Sequence, residues 1–136
     1  MGNTNICEQF VSFDTAKILK DAGFDVPCNS YYELEGGEVV RKDSIGSSDY
    51  NAYEDTVCSR PTQALAARWL REVHHYAICV WFSKDHEKWF YAHGDMDNMA
   101  FDTDYNISEF IFDSYEEALE VGIVQVLERI IEETKE

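Results

Sequence analysis

Asp95, Asp97, Asn98, Asp102 and Asp104 put five oxygen-bearing side chains on one loop, the densest set of potential metal ligands in the chain. Oxygen ligands at near-alternate positions suit a hard cation such as calcium. The pattern departs from an EF-hand, because Ala100 stands where the sixth-position glycine is needed and no bidentate glutamate stands twelfth. Weak cation binding by Asp95, Asp97, Asp102 and Asp104, serving a small metal-dependent hydrolase built on the 93–104 loop, is one expectation. His74, His75, His86 and His93 add imidazoles, but adjacent histidines at a helix end point apart, and His93-Gly94-Asp95 has no second ligand at a fixed spacing. Cys79 and His93 on neighbouring strands would make a nucleophile–base pair. The competing reading is that a mid-strand cysteine is a small buried hydrophobe. The sequence has no glycine-rich phosphate loop and no Gly-x-Ser-x-Gly elbow. No pattern names a reaction, so no catalytic residue is assigned, no cofactor is expected, and the protein is expected to be no enzyme.

The stronger signal is charge. The 136 residues carry 27 acids against 11 bases, a net of −16. Residues 84–136 hold 15 of those acids and only four bases, a net of −11. Glu116, Glu117, Glu120, Glu128, Glu132 and Glu133 lie on one predicted helix. Such a surface repels phosphate backbones and anionic headgroups and attracts a basic protein. It therefore argues against nucleic-acid and membrane partners; the plain alternative is that the acidity only keeps the protein in solution. Trp69, Trp81 and Trp89 with Phe82, Phe90 and Tyr91 form a dense aromatic set. Most of it is core, but strand alternation sends Trp81 or Trp89 to the sheet face away from the helices, where an aromatic patch would mark a contact surface.

The elements that must position these groups read as one α+β domain over 1–136, with 1–13 loosely docked or frayed. Asp14 is the expected N-cap of a short helix, Thr15–Ala22, closed by Gly23. A hairpin follows, Ser30–Leu34 and Glu38–Lys42 about Glu35-Gly36-Gly37. Residues 43–58 read as a long polar loop, with Tyr50 and Tyr53 pinning it. A helix over Pro61–His74, capped by Ser59, presents Leu65, Ala66, Trp69, Leu70 and Val73. Alternation predicts strands at 76–83, 88–93 and about 104–112, joined as an antiparallel meander. Ser114-Tyr115-Glu116-Glu117 is a capping box. It opens a final helix with a stripe of Tyr115, Ala118, Leu119, Gly122, Ile123, Val126, Leu127 and Ile130. Gly122 in that stripe implies a close approach to the sheet. Val121, Val124 and Ile131 lie off its centre and need a cover: the N-terminal segment or a partner, a second copy included. Monomer and homodimer both stay open. The expected fold is thus helix, hairpin, helix, three-stranded antiparallel meander, helix, with the two main helices on one face of the sheet.

Four widely spaced cysteines with no Cys-x-x-Cys make a zinc knuckle improbable. No signal-peptide pattern and no apolar run long enough to span a bilayer occurs, so a cytoplasmic location with free thiols is the expectation. The helix–strand–strand–strand–helix order of 61–134 also matches a double-stranded-RNA-binding domain, but that fold needs a basic binding face.

The segments Ala22-Gly23-Phe24-Asp25…Cys28, Pro61-Thr62-Gln63-Ala64-Leu65-Ala66…Trp69-Leu70-Arg71-Glu72…His74 and Phe112-Asp113-Ser114-Tyr115-Glu116-Glu117-Ala118-Leu119-Glu120…Gly122-Ile123 occur in combination. In this the chain resembles a family of small proteins, without established activity, encoded by Bacteroides-type gut bacteria and their phages or integrated elements. The resemblance covers roughly residues 16–131 and implies an origin, with no catalytic residue to carry over. The expectation is a non-enzymatic, acidic binding protein of phage or mobile-element type that engages a basic partner. A homo-oligomeric structural protein is the remaining alternative.

Overall fold

The computed structural model describes residues 6–97, 106–107 and 111–135. Its elements run α1 (Phe13–Asp21), β1 (Cys28–Glu35), β2 (Glu38–Ser48), a 3-10 turn (Tyr50–Ala52), β3 (Val57–Ser59), α2 (Gln63–Val73), β4 (Tyr76–Ser83), β5 (Lys88–Asp95), β6 (Asn106–Ile107) and α3 (Tyr115–Thr134). The α+β class and antiparallel pairing match expectation. The single sheet does not. The strands form two separate three-stranded sheets, ordered β2-β1-β3 and β4-β5-β6.

The first sheet grows from the hairpin. Gly36 and Gly37, at φ +58 and +85, supply the positive φ that a two-residue loop requires, and Glu35 lies opposite Glu38. Leu34 N–H donates to Thr56 on the β3 side. By alternation Glu33 and Glu35 face β2, and the peptide groups of Val39, Arg41 and Asp43 face the open edge. The predicted loop over 43–58 is instead structured. β2 runs on to Ser48 through a bulge, and β3 pairs with β1. The polar residues that suggested a loop bond internally: Asn51 Nδ2 donates to Phe24 O at 2.9 Å, Ser59 N to Asn51 Oδ1 at 2.9 Å, and Tyr50 N to Ser59 Oγ at 3.1 Å. Tyr50 stacks on Tyr31 at 4.2 Å, as a pin should, whereas Tyr53 is exposed.

Within the opening segment, residues 9–11 are held by backbone pairing to residues 61–63. Val11 is fully buried; its N–H donates to Pro61 O at 3.0 Å, and Gln63 N to Gln9 O at 2.8 Å. That pairing keeps residues 60–62 extended, so Thr62, not Ser59, caps α2, accepting from Leu65 N at 3.1 Å. Ser12, not Asp14, caps α1. Gly23 ends α1 as expected. Phe24 N bonds Leu19 O and Gly23 N bonds Lys20 O, the paired bonds of a Schellman motif, and Phe24 turns into the core.

The helices α2 and α3 pack on the second sheet, and α1 packs on α3 and β3. One core joins both sheets: Tyr32 and Cys58 from the first, Tyr76 from the second, with Leu19, Phe24, Trp69, Leu70, Ile123 and Leu127 between them. Gly122 explains itself, since a Cβ there would lie 3.1 Å from Ile78 Cγ2 and 3.2 Å from Tyr91 Cδ2. Val73, placed in the α2 stripe by sequence, is 57% exposed at the last residue of the helix. All four cysteines are free. Burial pushes the Cys28 and Cys58 thiols up to about 11. No helix among the described residues is long and apolar enough to cross a membrane.

Candidate functional site

Helix α3 separates its six glutamates into two kinds. Glu116, Glu117, Glu128 and Glu132 are exposed, as is Glu133. Ser114 caps the helix, accepting from Glu117 N at 3.0 Å, and the first-turn glutamates complement the positive helix end. Its last turn carries no base. Glu120 and Glu133 have other work. Glu120 Oε2 accepts from Ser12 N at 2.9 Å, and Oε1 from Gln63 Nε2 at 2.7 Å. This carboxylate therefore joins the beginnings of α1 and α2 to α3. Glu133 accepts from Tyr76 Oη at 2.8 Å and pairs with Arg129 at 3.6 Å. Burial first, then that bond to Glu133, pushes the Tyr76 phenol up to about 12.

Beside the first turn of α3 lies an open cleft of about 840 Å³, lined by Arg41, Arg60, Gln63, Glu116 and Glu117 among others. Arg60 is its most constrained group. The guanidinium lies 3.9 Å from the ring centre of Phe10 and 5.6 Å from that of Tyr32, and Nη1 donates to Ser30 Oγ at 3.1 Å. Its Nε is buried without a partner. No carboxylate among the described residues lies within ion-pair reach of Arg60 or Arg41. Arg41 stands opposite Tyr32 across β1 and β2, on the same wall. Sequence reasoning missed this site. Phe10, the β1 pair Ser30 and Tyr32, and Arg60 come from three stretches far apart in sequence, and the one local hint was an arginine beside Pro61.

The chain matches no family model, no curated protein and no solved structure. The site is read from its own geometry alone.

The two tryptophans proposed for a contact surface are not brought together. Trp81 lies on the outer face of the second sheet, 39% exposed and stacked on Phe90 at 5.7 Å. Trp89 is half-buried on the helix-facing side, edge-on to Tyr115 at 5.6 Å. Val121, Val124 and Ile131 are each half-buried, and α1 packs along α3.

Of the proposed metal ligands, Asp102 and Asp104 lie outside the described residues. Asp97 carboxylate oxygens sit 2.9 and 3.0 Å from His75 Nδ1, and Asp95 Oδ1 accepts from Asp97 N at 2.9 Å. No group of three potential ligands occurs among the described residues. His74 turns away from His75 and rests edge-on against Trp69 at 4.7 Å. The Cys79–His93 pair fails on register. Cys79 lies opposite Ala92 and His93 opposite Ile78, so exposed Cys79 and buried His93 occupy opposite faces.

His93 is 8% exposed on the α3 side, its ring parallel to Tyr91 at 6.2 Å and its Nδ1 without a partner. Burial first, then the charge of Arg129, holds its pKa below the ordinary histidine value. The folded protein thus keeps His93 neutral while the unfolded chain takes up a proton below about pH 6.5, so this contribution to stability is complete above that pH and is lost as pH falls below it. A His93→Leu variant cannot titrate there. Its melting temperature should gain on the wild type as pH is lowered through this window; curves that stay parallel would remove His93 from the pH dependence.

Proposed function

We propose that the chain is a non-enzymatic acidic binding protein of the phage or mobile-element type, which engages a basic protein partner through α3 and stands in for a row of nucleic-acid phosphates. The observation that carries this reading is the exposed set Glu116, Glu117, Glu128 and Glu132 on a helix whose last turn has no base. Arg129, within that helix, is engaged by Glu133. The field of a body at net −16 draws a polycation in and repels RNA and DNA. The segments around Gly23, Pro61 and Ser114 favour the mobile-element origin.

The test uses a fluorescent hexalysine peptide with an amidated C-terminus. At low ionic strength the wild type should bind it, and replacing Glu116, Glu117, Glu128 and Glu132 together by glutamine should weaken binding about tenfold, a loss of about 1.4 kcal/mol. Raising salt to about 1 M contracts the Debye length to about 3 Å and should abolish binding. Affinity indifferent to salt or to the four substitutions would overturn the reading.

A further inference from the structure

We infer that the cleft at the start of α3 receives the C-terminal end of a basic peptide, with its terminal carboxylate on Arg60 and its lysine or arginine side chains on Glu116 and Glu117. This deepens the reading of α3 as a face for basic partners and rests on it. Arg60 is held by Phe10, Tyr32 and Ser30, so little side-chain freedom remains to be lost when it engages a ligand. It is a cation without a carboxylate, in a protein where acids outnumber bases by 27 to 11. A planar guanidinium matches the two oxygens of a carboxylate. Arg41 adds a second positive group on the same wall, and Glu116 and Glu117 face them from α3. The glutamates outnumber the arginines in the cleft, so a lone anion is repelled. A ligand carrying a carboxylate at one end and cationic side chains along its length satisfies both walls. The volume, about 840 Å³, falls within the range of small-ligand clefts.

The experiment compares hexalysine bearing a free C-terminal carboxylate with the amidated peptide. The free acid has one positive charge fewer overall, so attraction to an acidic surface alone favours the amide. The inference demands the reverse, a preference for the free acid of about tenfold, as one charge-assisted hydrogen-bonded contact supplies. Arg60→Gln should remove that preference, so that the amide, with its extra net positive charge, becomes the tighter ligand. Arg60→Lys keeps a cation against the rings, secures the result if the glutamine variant fails to fold, and should also lose most of the preference. Inorganic phosphate should not compete. Equal binding of the two peptides, or a preference that survives both Arg60 substitutions, overturns the inference while leaving the acidic-face reading standing. Failure to bind either peptide overturns both.

Discussion

Truncating Phe24 to alanine is expected to cost about 3–5 kcal/mol of folding stability. The side chain is 1% exposed and meets Trp69 edge-to-face at 5.3 Å. It follows the Schellman turn at Gly23, so the glycine that ends α1 also aims Phe24 between α1 and α2. Its carbonyl is the acceptor for Asn51 Nδ2, which ties the 3-10 turn to the same point. A cavity there loosens contacts among α1, α2 and the first sheet together. Domains are typically stable by about 5–15 kcal/mol, so the variant should be close to its unfolding limit. Urea denaturation would measure the change. A loss below about 1 kcal/mol would place Phe24 at a site that collapses around the missing ring.

Glu120→Ala should be the most damaging removal of an α3 carboxylate, at about 2 kcal/mol. Both oxygens are engaged, and Gln63, which donates to one of them, is 4% exposed. Without the carboxylate, Gln63 Nε2 keeps only Glu116 O as acceptor, at 2.9 Å. The same change at exposed Glu116 should stay within about 0.5 kcal/mol. Chemical denaturation of the two variants side by side decides the matter, and equal effects would refute the assignment of Glu120 as the tie between helices. The contrast also separates fold from recognition, since Glu120 is left out of the set substituted in the binding test.

The contrast between these two glutamates marks how far the sequence could be read. Period and capping chemistry placed α3, with its Ser114 cap and its close-packed Gly122, because those signals are local. Paired glycines located the hairpin for the same reason. The three acidic residues at the start of α3 looked alike, since nothing nearby reveals that Glu120 meets Ser12, 108 residues earlier. The 43–58 segment misled because Asn51 bonds inward, to Phe24 and to the Ser59 backbone, and composition cannot distinguish a satisfied polar group from a solvated one. The split into two sheets was hidden likewise: short loops specify which strands pair in sequence, but not whether β3 joins the hairpin or the meander. The Arg60 clamp brings together three stretches distant in sequence, at Phe10, Ser30–Tyr32 and Arg60, and left no periodic trace. Alternation gave each of β4 and β5 two faces but not their mutual register, so it left open which of Trp81 and Trp89 faces away from the helices and allowed the Cys79–His93 pair that the register rules out.

An open edge with free peptide groups is a template on which a foreign strand can add, the first step toward fibrous aggregation. On β2 only Val39, Arg41 and Asp43 offer such groups before the bulge between Asp43 and Ser48 turns the backbone aside. Lys42, anchored by Glu33 and Glu35, and exposed Arg41 put charge beside those groups. A foreign strand seeking to register there would find a short, charged, bent rim, so the hairpin can present this edge without recruiting neighbours.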